Sequence, residues 1–371
     1  MCKCMKGLFL ATQPILSKGS GISEKIRSQA ESLGNAGLDM RFCYQRVEYG
    51  IFNYYIDNTL LYSLGSGIKA HLGLYYNYSP ILEYVKREKI EFVYIRYIQL
   101  ANPFYNKFLR DIKNAGAIVY LEIPTYPYDG EYTVGLMKKI QKKIEKVYRQ
   151  RFYKYVDRIV TFVEKDTIFN IPTVRISNGV NMDKIPERKV KEHKGINLVG
   201  VAMLCKWHGY DRLIEGIHDY YKNGGTVDVQ FFIVGDGGTV LSDYQERVDR
   251  YKLNSHIHFE GVKSGSELDD YFDNADMAIG CLACHRKNVK SVKSLKNVEY
   301  AARGIVFCYS EENSDFDNAP YVLKIPADES PIDVPQILEF IDHHQFQPEE
   351  IRKTVENLSW KIQMQKVIDE A

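Results

Sequence analysis

Short apolar runs of strand length alternate with longer stretches in which apolar residues recur every three or four positions. Gly7–Thr12 reads as a buried strand, a helix follows from about Ile22, and strand character resumes over Asp39–Tyr44. Phe92–Arg96, Ala117–Leu121 and Arg158–Val163 repeat the pattern with helical stretches between them. Strands separated by helices predict βαβ units and a parallel sheet.

The turn signal Ser177-Asn-Gly-Val-Asn181 leads into a charged, apolar-poor segment, Asp183–Lys194, which is the expected interdomain linker. A second alternating series follows, with strands at Ile196–Ala202, Val227–Val234, His256–Phe259, Met277–Gly280 and Ile305–Cys308. The reading is therefore an α/β protein of two Rossmann-like, doubly wound domains, one over residues 1–185 and the other over 186–350. Residues 351–371 carry a helical pattern and are expected to pack back towards the first domain.

A length of 371 residues exceeds what one core usually covers, which agrees with two domains. With 49 Lys+Arg against 48 Asp+Glu, the net charge of +1 gives no field of the kind that marks a nucleic-acid binder. No apolar run reaches bilayer length, and the seven scattered cysteines fit reduced thiols better than disulfides. With no signal-peptide pattern visible, the expected location is cytoplasmic, any membrane contact being peripheral at the inner face of the cytoplasmic membrane.

The second half carries an ordered series of motifs. Gly200-Val-Ala-Met-Leu-Cys-Lys-Trp-His-Gly-Tyr-Asp-Arg-Leu-Ile214 comes first, followed by Ile233-Val-Gly-Asp-Gly237 and Ser266-Glu-Leu-Asp-Asp-Tyr-Phe-Asp-Asn-Ala-Asp276. Ser294-Leu-Lys-Asn-Val-Glu-Tyr-Ala-Ala-Arg-Gly304 closes it. In order and spacing this series resembles the retaining GT-B glycosyltransferases of the family 4 (group 1) type. Ser17-Lys-Gly-Ser-Gly-Ile22 is similar to the glycine loop after that family's first strand, and Leu121-Glu-Ile-Pro-Thr-Tyr-Pro-Tyr-Asp129 to a stretch of bacterial members that build surface polysaccharides. The resemblance implies two domains facing a cleft, with donor on the C-terminal one and acceptor on the N-terminal one. It also implies transfer from a nucleotide-diphosphate sugar to a glycan or polyprenyl-linked acceptor with retention of configuration.

The resemblance places Glu299 on the donor ribose, where a carboxylate can accept from both hydroxyls; the plainer reading is an i,i+4 pair with Arg303. Lys206 is the candidate for the diphosphate, joined by the backbone amides of Ser294 and Leu295 at a helix start, where the dipole favours anions. Its plainer reading is a solvated loop lysine. Gly19 and Gly21 could bring backbone amides to phosphate or sugar, or could serve a turn. Gly235-Asp-Gly237 reads as a strand-ending turn. The family pattern has a further Glu eight residues before the ribose carboxylate, where this chain has Ser291. His285 and Arg286 are candidates to supply lost donor contacts, against an exposed polar loop. Glu122, Thr125, Tyr126 and Asp129 sit where a strand end could face acceptor.

Cys281-Leu-Ala-Cys-His285 formally matches a haem-attachment motif, but its flanks fit the glycosyltransferase series. Asp315-Phe-Asp317 imitates a metal-binding pair, yet the family handles diphosphate without metal, so no metal or other cofactor is expected. Over 137–158, Met137, Ile140, Ile144 and Val147 share one helix face while Lys138, Lys139, Lys142, Lys143, Lys146 and Arg149 occupy the rest. The apolar face is expected to pack on the core; the alternative is a basic surface that docks on anionic lipid. Rival functions are a non-catalytic homologue acting as a binding or scaffold subunit, and a sugar-nucleotide epimerase. A dinucleotide oxidoreductase is disfavoured because no G-x-G-x-x-G follows the first strand.

Overall fold

A computed structural model of the chain describes residues 4–15, 21–129, 135–343 and 346–371. It divides into two compact units, Met1–Ser177 with Trp360–Ala371, and Asn178–Ser359.

The first unit runs β1 (Lys6–Pro14), α1 (Gly21–Asn35), β2 (Asp39–Glu48), β3 (Ile51–Ile56), β4 (Thr59–Gly65), α2 (Gly67–Tyr76), α3 (Ser79–Glu88), β5 (Phe92–Arg96), α4 (Pro103–Asn114), β6 (Ile118–Ile123), α5 (Leu136–Arg149), β7 (Arg158–Thr161), β8 (Thr167–Ile168) and β9 (Ile171–Arg175). Its sheet has the order β4-β3-β2-β1-β5-β6-β7-β9-β8. The central strands β2, β1, β5, β6, β7 and β9 pair in parallel. Every residue of β5 is buried, which is why it appears in the sequence as an unbroken apolar run ending in Arg96.

Both edges depart from the parallel expectation: β2-β3 and β3-β4 are antiparallel hairpins, and β8 pairs antiparallel with β9. The β2-β3 turn uses Tyr49 and Gly50, both at positive φ, the backbone sense that lets a two-residue turn follow strand twist. α4 starts at Pro103 behind Asn102, whose side chain accepts from the backbone N–H groups of Phe104 and Tyr105 and so closes two orphan donors.

The second unit runs β10 (Ile196–Val201), α6 (Tyr210–Lys222), β11 (Val229–Val234), α7 (Thr239–Tyr251), β12 (Ile257–Gly261), α8 (Ser266–Asp273), β13 (Met277–Ile279), α9 (Leu295–Arg303), β14 (Phe307–Tyr309), β15 (Val322–Lys324), α10 (Val334–His343) and α11 (Pro348–Lys353). Its sheet, ordered β12-β11-β10-β13-β14-β15, is parallel throughout. Order reverses at β10, so the doubly wound form puts a switch point between β10 and β13.

The charged stretch expected as a linker is fastened to this second unit. Arg188 N donates to Arg303 O at 2.8 Å, its guanidinium donates to Ala275 O, and Lys189 N donates to Asp273 at 2.8 Å. The helical pattern over 348–371 is interrupted: α11 ends at Lys353, a 3-10 turn covers Glu356–Leu358, and α12 (Trp360–Asp369) follows. α12 belongs to the first unit, where it packs on α1; Gln363 accepts from Ser177 N at 2.8 Å, and Glu370 O accepts from the Tyr120 hydroxyl. Against the sequence boundaries of 185 and 350, the chain changes unit at Ser177/Asn178 and at Ser359/Trp360.

Candidate functional site

Ligands of doubly wound sheets bind beyond the carboxyl ends of the strands, and both units concentrate polar chemistry there. In the second unit the loop after β10 carries Lys206, exposed and opening the 3-10 turn Lys206–His208. The loop after β13 carries a matching turn, Cys284–Lys287, which docks on the first. Arg286 donates to Lys206 O at 2.7 Å and to both oxygens of Asp211 at 2.9 Å, and also pairs with Glu329. His285 meets Glu329 at 2.6 Å. Arg286 thus braces the two loops, and together with His285 it holds Glu329 down to about 2, well below the ordinary carboxylate range, chiefly through the Arg286 bond.

Gly235 and Gly237 follow the end of β11, where the sequence reads a strand-ending turn, and both are closely packed. At φ 139, a Cβ on Gly235 would lie 1.8 Å from Ala202 O, and one on Gly237 would lie 2.3 Å from Leu204 Cβ. The loop that carries Lys206 therefore rests on bare backbone.

α9 begins at Leu295 behind Ser294, whose hydroxyl makes no capping bond, so the first backbone N–H groups of this helix lack that partner. Lys296, in that first turn, buries its ammonium with no hydrogen-bond partner. Beside it lie Cys281, Cys284 and Glu311, whose ligand-type atoms all fall within 4.8 Å of one another. The bond from Cys284, helped by Lys296 and His208, pulls the Cys281 thiol well below its usual range, while the Cys284 thiol is driven up in turn. Burial, with Cys281 nearby, lifts Glu311 to about 8. Glu311 Oε2, Asn297 Oδ1 and Asn313 Nδ2 are also buried without hydrogen-bond partners. These buried polar groups carry unfilled bonding capacity, which proteins rarely leave without a ligand or water.

Glu299, one turn into α9 and about one-third exposed, accepts from Arg303 as the i,i+4 reading expected. Ser291 is exposed and forms a parallel bridge with Glu312. In the first unit Gly21 is the exposed first residue of α1, and Gly19 lies outside the described residues.

A cavity of about 440 Å³ opens in the first unit at the ends of β1, β5 and β6. Gln13, Arg96, Tyr97, Thr125 and Tyr128 line it together with Lys138, Gln141, Lys142 and Glu145 of α5. Glu145 is buried and accepts from the hydroxyls of Tyr97 and Tyr128 at 2.7 Å each, and Arg149 closes its other oxygen at 3.2 Å. Tyrosine faces mixed with amides suit a polyhydroxylated ligand. A second hollow of about 520 Å³ lies at the opposite edge, beside Glu91 and Gly116, which precede β5 and β6, away from this chemistry.

Of the four acceptor candidates, Thr125 alone lines the cavity. Glu122 is fully buried and spends its carboxylate on Arg96, on Tyr94 at 2.6 Å and on Gln29 at 2.9 Å; it fixes Arg96 in the wall. The Tyr126 ring packs edge-on against Tyr128 and Phe169, and Asp129 is held by Arg149 at 2.8 Å and by Lys146. Sequence reasoning missed Arg96, Glu145, Lys296 and Glu311. The only signal was a charge ending an apolar run, in Phe92–Arg96, or sitting inside a matched motif, in Lys296.

These two parallel-sheet units define the GT-B fold, and solved structures that share it are GT-B glycosyltransferases. Sucrose-phosphate synthase from Thermosynechococcus elongatus superposes with a TM-score of 0.71 at 12% identity, over 99% of this chain and 98% of that one. HepE from Anabaena, solved with UDP-glucose, gives 0.62 at 10% identity, over 99% and 100%. The catalytic domain of starch synthase IV from Arabidopsis thaliana, bound to ADP and acarbose, gives 0.62 at 8% identity, over 99% of each chain. No protein-family model matches the chain, and no curated protein matches it significantly in sequence.

Proposed function

We propose that this protein is a retaining glycosyltransferase of the family 4 type, a hexosyltransferase that moves a sugar from a nucleotide diphosphate donor to a glycan or lipid-linked acceptor in surface-polysaccharide or glycoconjugate synthesis. The observation that carries the reading is the buried ammonium of Lys296, which makes no hydrogen bond, in the first turn of α9 at the carboxyl edge of a doubly wound sheet. An ammonium and free backbone N–H groups at one helix start form an anion site that needs no metal.

In this reading the donor diphosphate takes Lys296, Lys206 and the α9 amides, and charge that develops on the leaving phosphate is stabilised by those fixed donors. Glu299 accepts from the ribose hydroxyls. Both Arg303 bonds end on Oε1 at 3.3 Å, which leaves Oε2 for the ligand, so the ion pair and the ribose role coexist. The acceptor takes the tyrosine-lined cavity with Thr125 and Arg96. Transfer follows front-face attack, with the departing phosphate oxygen taking the acceptor proton, and no side chain is assigned as nucleophile.

Thermal-shift measurements with UDP, GDP, ADP and their hexose conjugates test the reading. A ligand at 100 times its dissociation constant stabilises by about 2.7 kcal/mol. Indifference to every one of these compounds overturns it.

A further inference from the structure

α5 is amphipathic in the opposite sense to a core-packed helix. A surface helix normally buries its apolar stripe and shows its charges. Here the inward face carries Glu145 and Arg149, both buried, while Met137, Ile140, Ile144 and Val147 are 76%, 45%, 40% and 57% exposed. These four recur at helical spacing and make one outward stripe, contrary to the core packing expected from sequence. Lys139 and Lys143 are exposed along the same helix.

α2 repeats the arrangement. Ile68, Leu72 and Tyr76, each four residues apart, are 79%, 53% and 53% exposed, and the Tyr76 ring meets the half-exposed Phe104 ring at 6.1 Å. The two helices share one cavity: Tyr75 of α2 and Lys138, Gln141 and Lys142 of α5 all line it. Soluble proteins rarely leave contiguous apolar stripes uncovered, and apolar side chains next to lysines match a boundary that is oily beneath and anionic on top.

We infer that the outer faces of α5 and α2 dock on an anionic lipid bilayer. The apolar stripe of α5 enters the headgroup boundary and Lys139 and Lys143 meet the lipid phosphates. No described helix is long and apolar enough to cross a membrane, so this attachment is interfacial. Resting on the glycosyltransferase reading, docking brings the acceptor cavity to the membrane surface and selects acceptors anchored there by a lipid.

The test is flotation of the full chain with vesicles of phosphatidylcholine alone or mixed with phosphatidylglycerol, alongside thermal shifts with nucleotide diphosphates on the same preparations. Wild type floats with the anionic vesicles and less so at high salt, where screening shortens the reach of the lysines. Ile140→Ser with Ile144→Ser lowers the bound fraction about tenfold or more on either vesicle, and Lys139→Glu with Lys143→Glu lowers it only on anionic ones. Both variants keep the wild-type melting point and nucleotide response. Wild type that stays unbound, or variants that float as wild type does, overturns docking. So does a wild-type dimer in solution that Ile140→Ser with Ile144→Ser turns into monomer without any vesicle binding. Flotation without a nucleotide response would leave docking standing and sink the transferase reading alone.

Discussion

Arg303 holds Glu299 by a single carboxylate oxygen, with Nε and Nη2 each 3.3 Å from Oε1. Arg303 is otherwise secured by Asp269 at 2.7 Å and by the Phe272 ring at 4.3 Å, so it stays in place if Glu299 is removed. Glu299→Ala should therefore cost at most about 0.5 kcal/mol of stability, the worth of a helix-surface pair. Yet it should reduce the thermal shift given by nucleotide diphosphates. An undiminished shift would remove Glu299 from the ligand.

Lys206 and Lys296 separate by environment. Lys206→Ala, on an exposed side chain, should leave the melting point of the free protein alone. Lys296→Met replaces a buried ammonium that makes no hydrogen bond with an apolar chain of similar length, and should change stability little. Each should weaken nucleotide binding by roughly 1.5–3 kcal/mol, the value of a charge-assisted bond, which calorimetric titration can measure.

Gly235→Ala places a methyl group 1.8 Å from Ala202 O at a φ of 139, so the loop that carries Lys206 has to move. A loss of roughly 2 kcal/mol or more in urea unfolding is expected, with weaker nucleotide response. A neutral substitution would show that the loop is free to shift.

Lys25 gives a pH signature. Burial, reinforced by Arg96 and opposed by Glu122, pulls it down to about 7 in the folded protein, and its ammonium lies 3.8 Å from the Phe162 ring centroid. Unfolded, it titrates near about 10.4. Between those values the unfolded chain binds more protons than the folded one, so stability rises with pH from about 7 to about 10. Below about 7 the penalty is complete, on the order of 5 kcal/mol. Lys25→Met leaves the Arg96–Glu122 pair balanced, so it should flatten the melting-point profile over that range and melt above wild type at neutral pH and below. An unchanged slope would refute the assignment.

The parallel strands were legible because burial on both faces writes them as unbroken apolar runs: Phe92–Arg96 is β5 residue for residue, and Met277–Ile279 falls inside its expected run. β3 and β4 were not, since their half-exposed faces mix tyrosine and asparagine and only Tyr49-Gly50 marks the turn. Candidate residues could be named where a motif supplied context, as at Glu299 and Lys206. Lys296 and Glu311 gain their meaning from loops that meet only in the folded sheet, and no local pattern announces that. For α5 the periodicity established that an apolar face exists, but which side of a helix the protein covers depends on Glu145 finding Tyr97 and Tyr128, residues far away in the chain.

The placement of α12 has a consequence for synthesis. Its Trp360 ring stands 5.5 Å from the Lys25 ammonium, and its Gln363 secures Ser177, so the first unit is finished by residues translated after the whole of the second. A nascent chain halted after Ser359 would emerge with the second unit complete and the first still without the helix that packs on α1.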